Sequence, residues 1–249
     1  MMRVVITVLD LRSLLAPGRA LRPATDEVLS ALAPDDQGAP YDRKAAIYDL
    51  VVGARAYNQV VWGTSTRSYR EFASEALAAA TGPMLDAGCG STVFTAGVYR
   101  RASRPLVLVD RSLGMLARAS DRLEGAPAAL VQADLLDLPF APESFTTVSC
   151  FAMLHVLDDP WQALAALWRQ LVPGGRLMAS MLVTDRAVGS AYLRVLRRTG
   201  EVGPPRSLAE FAAAARRAFG DSAVLDRTGS MAWLQATKTA PGRREGPSR

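Results

Sequence analysis

Met84-Leu-Asp-Ala-Gly-Cys-Gly90 is an apolar run that ends in an acid and a glycine turn; a second run, Leu106-Val-Leu-Val-Asp110, ends in another acid. The order reads as strand, tight turn, helix start, then a second strand closing on a carboxylate. Glycine at 88 and 90 permits φ > 0 and lets a ligand approach the backbone with no Cβ in the way. Asp110, roughly twenty residues past the turn, is where a carboxylate accepts hydrogen bonds from both hydroxyls of a ribose. The pair points to a nucleoside-containing ligand without saying which. A dinucleotide fingerprint asks for Gly-x-Gly-x-x-Gly, and Gly88-Cys-Gly90-Ser-Thr-Val93 lacks the third glycine. On this loop alone a nicotinamide dinucleotide and an unliganded βα turn both stay open.

Motifs further along decide between them. Leu130-Val-Gln-Ala-Asp-Leu135 is a third apolar strand leading into Leu138-Pro-Phe140 and Glu143-Ser-Phe145. A fourth apolar run, Thr147 to Ala152, continues into Met153-Leu-His155, and Leu171-Val-Pro-Gly-Gly-Arg176 follows. In order and spacing, residues from about Tyr41 to Lys238 resemble the class I S-adenosylmethionine-dependent methyltransferases, in their small-molecule, quinone-biosynthesis-like branch. The resemblance implies an α/β fold: a doubly wound, Rossmann-like, seven-stranded sheet, mostly parallel, with a C-terminal antiparallel hairpin and helices on both faces. The hairpin is legible independently, because no crossover helix fits between Asp226 and Ser230. A dinucleotide domain would instead keep its strands parallel.

With 249 residues and 49% apolar content, the chain can bury one full α/β core plus a modest addition. Cys89 and Cys150 are far apart in sequence, which argues against a disulfide framework or a metal site and for a reducing, cytoplasmic setting. Val4 to Leu9 is too short to span a bilayer, and Asp10 and Arg12 interrupt any signal-peptide core, so no membrane insertion is expected. The net charge of +5 comes from scattered arginines, the densest run being Gly242-Arg-Arg-Glu-Gly246. No basic patch with interleaved aromatics suits nucleic acid. A small-molecule acceptor is the expected partner, and the oligomeric state is left open.

Residues 1–40 read as an extension punctuated by Pro17-Gly18, Pro23, Pro34 and Gly38. Within it, Thr25-Asp-Glu-Val-Leu-Ser-Ala-Leu32 has helical period with Thr25 placed to cap it. Residues 41–80 are expected as a helical cap over the site, with helices from Tyr41 and from Ser65 to Ala80. Residues 81–239 form the binding core and 240–249 a disordered tail. Alternating strands and helices, with Pro173-Gly174 turning into the strand Arg176 to Val183, predict a parallel sheet. Helices are expected over Gly189 to Thr199 and Leu208 to Phe219, the latter capped by Ser207.

The resemblance implies a site residue by residue. Gly88 and Gly90 offer backbone groups to the methionine part of S-adenosyl-L-methionine, and Asp86 holds its amino group directly or through water. Asp110 binds the ribose, Met115 packs on the adenine, Asp134 takes the adenine amino group and Leu135 offers a backbone amide. Cys89, Arg111 and Phe151 belong to the same implied shell. Asp134 as a loop cap and Met115 as a core residue are the plain alternatives. Tyr41-Asp-Arg-Lys-Ala-Ala-Ile-Tyr48-Asp49 resembles an opening helix that folds over the cofactor, with Tyr48 reaching its methionine end. Tyr57, Trp62, Phe151 and Trp161 are candidates for an apolar acceptor lining, although aromatic residues at helical spacing are core more often than pocket. Thr92 departs from the family's usual glycine, and Thr146 from its usual aspartate.

Methyl transfer from a sulfonium mainly requires alignment of the nucleophile with the methyl group. A base is needed only when the acceptor must lose a proton early. His155, the sole histidine, stands just past the fourth strand with an ordinary pKa near neutrality and is the candidate catalytic base; its alternative is a helix-start histidine bonded to a carbonyl. Two functions follow: a methyltransferase acting on oxygen, nitrogen or carbon of a small acceptor, and a cofactor-binding module without transferase activity.

Overall fold

The computed structural model describes residues 11–36 and 51–239. Expectations for Val4 to Leu9, for Tyr41 and Tyr48, and for the tail fall outside them. Among the described residues the sheet has nine strands: β1 (Arg22–Pro23), β2 (Val28–Ser30), β3 (Met84–Ala87), β4 (Leu106–Asp110), β5 (Ala128–Gln132), β6 (Phe145–Cys150), β7 (Leu171–Leu182), β8 (Val224–Thr228) and β9 (Met231–Thr237). Their spatial order is β1-β2-β5-β4-β3-β6-β7-β9-β8. From β2 to β7 neighbours run parallel, and β9 returns antiparallel between β7 and β8.

Seven of these strands are the expected ones; β1 and β2 are additional. β2 falls inside Thr25 to Leu32, which carries a helical period, and the two-residue β1 precedes that stretch as its antiparallel partner. Instead of capping a helix, Thr25 closes a hairpin: its Oγ1 accepts from the amides of Glu27 (3.2 Å) and Val28 (3.1 Å). Val28 and Ser30 then turn inward beside β5, giving the alternation of a half-buried strand. The extension is therefore part of the sheet, and Leu11 and Leu14 of α1 (Leu11–Leu14) enter the core with it.

Both sheet faces are covered, as a parallel sheet requires. Leu85, Val107 and Val109 point to one face, under α5 (Pro160–Gln170) and α7 (Leu208–Phe219). Met84, Leu106 and Leu108 point to the other, under α2 (Thr66–Ala78), α4 (Leu113–Arg122) and α6 (Ala187–Arg198), with α3 (Ala96–Tyr99) beside them. Ser65 caps α2 by accepting from the Ser68 amide, and Ser207 with Glu210 forms a reciprocal capping box on α7. Phe72, Ala73 and Ala76 of α2 are buried in the second core, so this half of the expected cap is a layer of the fold.

At the amino edge of the sheet, buried Arg104 donates to the carbonyls of Gly82 (2.7 Å) and Leu77 (3.2 Å) and to the hydroxyls of Thr147 (3.1 Å) and Thr146 (2.7 Å). Desolvation pushes its pKa down to about 10. Thr146 is thus a neutral partner to a buried guanidinium.

Candidate functional site

The order of strands reverses at β3, which pairs with β4 on one side and β6 on the other. Ligands of open α/β sheets bind at the carboxyl end of such a switch point. There the loops after β3 to β6 enclose a cavity of about 360 Å³. Its wall includes Asp86, Gly88, Cys89, Gly90, Asp110, Arg111, Met115, Asp134, Leu135 and Phe151, ten residues taken from the sequence. Tyr48 lies outside the described residues.

The turn after β3 is shaped by its glycines. Gly88 has φ +72°, and a Cβ there would come within 2.7 Å of Met153 Cγ. At Gly90, φ +54°, a Cβ would meet no protein atom within 4 Å: the left-handed backbone, and not crowding by protein, calls for glycine. Thr92 keeps a left-handed φ of +54° without being glycine. Its Oγ1 donates to the Ser91 carbonyl at 2.7 Å, and its own carbonyl accepts the amides of Thr95 and Ala96 at 3.1 and 2.9 Å. The loop is therefore held in a glycine conformation by its surroundings, and the Thr92 side chain does not bond a cavity carboxylate. Ala152, also on the wall, has φ +51°.

Three carboxylates meet the cavity with different partners. Asp86 is buried at the end of β3; its Oδ2 accepts from Tyr99 Oη and its Oδ1 from Ser149 Oγ, each at 2.8 Å. Burial raises its pKa to about 6, against the lowering effect of those two hydroxyls. Asp110 accepts the Gly90 amide on Oδ2 (2.8 Å) and the Ser112 amide on Oδ1 (2.9 Å). Asp134 accepts the Leu136 amide on Oδ1 (2.8 Å) and faces Arg111 Nη1 at 2.6 Å. It does cap its loop, and it also reaches the cavity. The Cys89 thiol is pushed well above its ordinary pKa by burial, then by Asp110 and Asp86, so it stands as a neutral thiol.

Met115 is both a core residue and a wall residue, buried on α4 with its amide capped by Ser112 Oγ (3.1 Å). His155 sits in the 3₁₀ turn Leu154–Val156; Met153, Val156 and Leu157 line the cavity, whereas His155 does not. Its Nδ1 is enclosed without a hydrogen-bond partner among the described residues, and desolvation pushes its pKa down to about 4. Its carbonyl accepts the Gly203 amide at 3.0 Å. Of the four candidate lining aromatics, Phe151 reaches the cavity. Tyr57 and Trp62 pack around Tyr192, and Trp161 stacks near Phe211 under the Arg206 guanidinium.

Sequence reasoning missed Tyr99 and Ser149, which hold Asp86, and Tyr69 with Phe94, whose rings stack at 4.4 Å on the wall. None carries a local signal: each arrives from a different helix, strand or loop.

A family model described as a methyltransferase domain matches residues 85–179. A demethylmenaquinone methyltransferase of Parafrankia sp. is 31% identical over 186 residues, covering 66% of this chain and 70% of that protein. The chain belongs to the class I S-adenosylmethionine-dependent methyltransferases. The chain is also 32% identical over 148 residues to the demethylmenaquinone methyltransferase of Renibacterium salmoninarum, covering 59% of each. It spans between 24% and 60% of the length of the first three curated relatives it matches. Among solved structures, phosphoethanolamine N-methyltransferase 2 of Haemonchus contortus, in complex with phosphomonomethylethanolamine and S-adenosylhomocysteine, superposes with a TM-score of 0.61 at 16% identity. The match covers 80% of this chain and 58% of that one, and at this identity it speaks for the fold.

The family's cofactor is S-adenosylmethionine, and the cavity suits it on its own chemistry. The Asp110 carboxylate stands on the cavity wall where a ribose would need an acceptor, a Cβ at Gly90 would meet no protein atom within 4 Å, and Met115 and Leu135 supply an apolar surface for a base. No helix among the described residues is long and apolar enough to cross a membrane.

Proposed function

We propose that this chain transfers a methyl group from S-adenosylmethionine to a small, largely apolar, quinone-type acceptor. The observation that carries the reading is the division of one cavity. Asp86 and Asp110 stand at the carboxyl ends of β3 and β4 and Asp134 just past β5, and Val52, Phe94, Phe151, Met153, Val156 and Leu157 form apolar wall. The named activity of the demethylmenaquinone methyltransferases supports the acceptor class.

In this reading Asp110 accepts from the ribose hydroxyls, Asp134 from the adenine amino group, and Met115 and Leu135 sandwich the base. Asp86, ionised above about pH 6, faces the ammonium group. Gly88, Cys89 and Gly90 carry the methionine portion along their backbone, and Tyr48 closes over it. The bound cofactor supplies a methyl group on a sulfonium, already activated for transfer. The apolar wall orients a flat acceptor and keeps water from the reacting atoms, which is where an alignment-driven transfer gains its rate. We assign the proton, where one must leave, to the acceptor's own acidity and not to His155.

Calorimetric titration with S-adenosylmethionine, S-adenosylhomocysteine and NAD, followed by a labelled-methyl assay on short-chain naphthoquinols, tests the proposal. Micromolar binding of both sulfur nucleosides together with labelled product is expected. Binding without product across neutral, phenolic and amine acceptors would favour the non-transferase binding module. Binding of NAD alone would overturn the cofactor assignment.

A further inference from the structure

Asn58 opens the π turn Asn58–Trp62, and it is buried although Gln59 and Val60 beside it are exposed. The far end of the turn is pinned to the body of the fold. Arg186, at the start of α6, donates through Nη1 to the carbonyls of Val60 (3.1 Å) and Val61 (2.7 Å), and the Trp62 carbonyl accepts the Ser230 amide at 2.7 Å. Gly229 lies so close that a Cβ there would come within 2.2 Å of the Trp62 carbonyl oxygen. The Trp62 ring packs against Tyr57 and Tyr192, with centroids 6.0 and 5.5 Å apart. From this fixed base the Asn58 carboxamide reaches back along the chain. Its Nδ2 donates to the Val52 carbonyl at 2.7 Å and to the Ala54 carbonyl at 3.0 Å. Val52 is a wall residue of the cavity.

From this arrangement we propose that Asn58 is a positioning residue for the methyl acceptor: it ties the Val52 part of the apolar wall to the body of the fold. The inference rests on the reading of that wall as the acceptor's. A carboxamide nitrogen carries two N–H donors, and here two carbonyls take them, which neither an ionised aspartate nor an apolar side chain can satisfy. The Val52 carbonyl belongs to the peptide that leads into Gly53. Once that carbonyl loses a short donor it gains by turning toward water, and glycine lets the peptide turn at little cost. Turning it draws the Val52 side chain off the wall. The proposed cofactor contacts come mostly from the loops after β3, β4 and β5, whereas the Asn58 carboxamide bonds residues 52 and 54, so effects on acceptor and cofactor separate.

The test compares acceptor and cofactor in the full chain. Asn58→Leu keeps a side chain of similar size and removes both donors. With a short-chain naphthoquinol and saturating S-adenosylmethionine, its acceptor KM should rise about tenfold, the scale of one or two lost hydrogen bonds. Its affinity for S-adenosylhomocysteine by calorimetry should stay within about threefold of the intact chain's, a smaller change than the loss of one hydrogen bond can produce. Val52→Ala should raise the same KM about fourfold, as expected for about one methylene of lost apolar contact. Because Asn58 acts through Val52, adding Val52→Ala to Asn58→Leu should cost less than about twofold more, a non-additivity that general loosening of the fold would not produce. Full additivity, an unchanged KM in Val52→Ala, or an equal loss of S-adenosylhomocysteine affinity in Asn58→Leu would overturn the proposal. A KM that responds in Val52→Ala but not in Asn58→Leu would remove Asn58 alone. No turnover of any naphthoquinol by the intact chain would overturn the acceptor reading and this inference with it.

Discussion

Asp86 shows how a single residue can be legible in sequence and still have its energetics set elsewhere. An acid at the end of the first strand is visible in Leu85-Asp-Ala, but its burial and its hydrogen bonds from Tyr99 and Ser149 come from α3 and β6. Because its folded pKa is raised to about 6, the folded chain keeps a proton that the unfolded chain releases near pH 3.8. Its contribution therefore falls as pH rises through that window and is flat above it. Asp86→Asn should stabilise the chain at pH 8 by up to about 3 kcal/mol, shrinking toward pH 4, while weakening cofactor binding. Chemical denaturation at the two pH values checks this; an equal change at both would contradict the burial account. His155 has the opposite sign. With a folded pKa near 4, it stays neutral while the unfolded chain takes up a proton below about pH 6.5, so its contribution is lost as pH falls. As a residue off the cavity wall, it should be nearly dispensable for turnover, and His155→Gln should change kcat by less than about twofold. A loss of about a hundredfold, the scale of general-base catalysis, would return His155 to the mechanism.

At the scale of elements, the loop after β3 was read as a glycine turn, and so it is, yet its third left-handed residue is a threonine. A β-branched side chain at φ +54° costs about 1–2 kcal/mol. Thr92→Gly relieves that strain but gives the unfolded chain about 0.5–1 kcal/mol more freedom and removes a buried side chain. The net shift in thermal midpoint should be small. Space on the cavity wall increases, and S-adenosylhomocysteine should bind several-fold tighter by calorimetry. Weaker binding would mean that Thr92 itself contacts the ligand. The opposite lesson comes from Thr25 to Leu32, whose apolar spacing fits a helix but which forms strand β2. The edge of β5 offers backbone partners to any adjacent segment, and a short run gains more from those bonds than from an isolated turn of helix. Local period cannot register the presence of an open sheet edge.

Across the whole molecule, the extension is a structural layer as well as a link to the site. Leu11 and Leu14 fill one core, Val28 the other, and each buried side chain contributes about 1.5–3 kcal/mol. Removing residues 1–36 therefore costs about as much as a typical domain's whole stability. The truncated chain should lose cooperative unfolding in a calorimetric scan; a sharp transition within a few degrees of the intact chain would show the extension to be an appendage. By itself the sequence determined the alternation of strands and helices, the C-terminal hairpin, the glycine turn and the strand-end acids, because each is written in neighbouring residues. Ten of the proposed contact residues on one cavity wall follow from that order, since parallel strands bring their carboxyl ends to one edge. Only the tertiary structure decided what those acids touch. Tyr99 and Ser149 on Asp86, Asp36 on Arg111, and the seat of His155 off the wall depend on segments distant in sequence, and packing between them leaves no period in the chain.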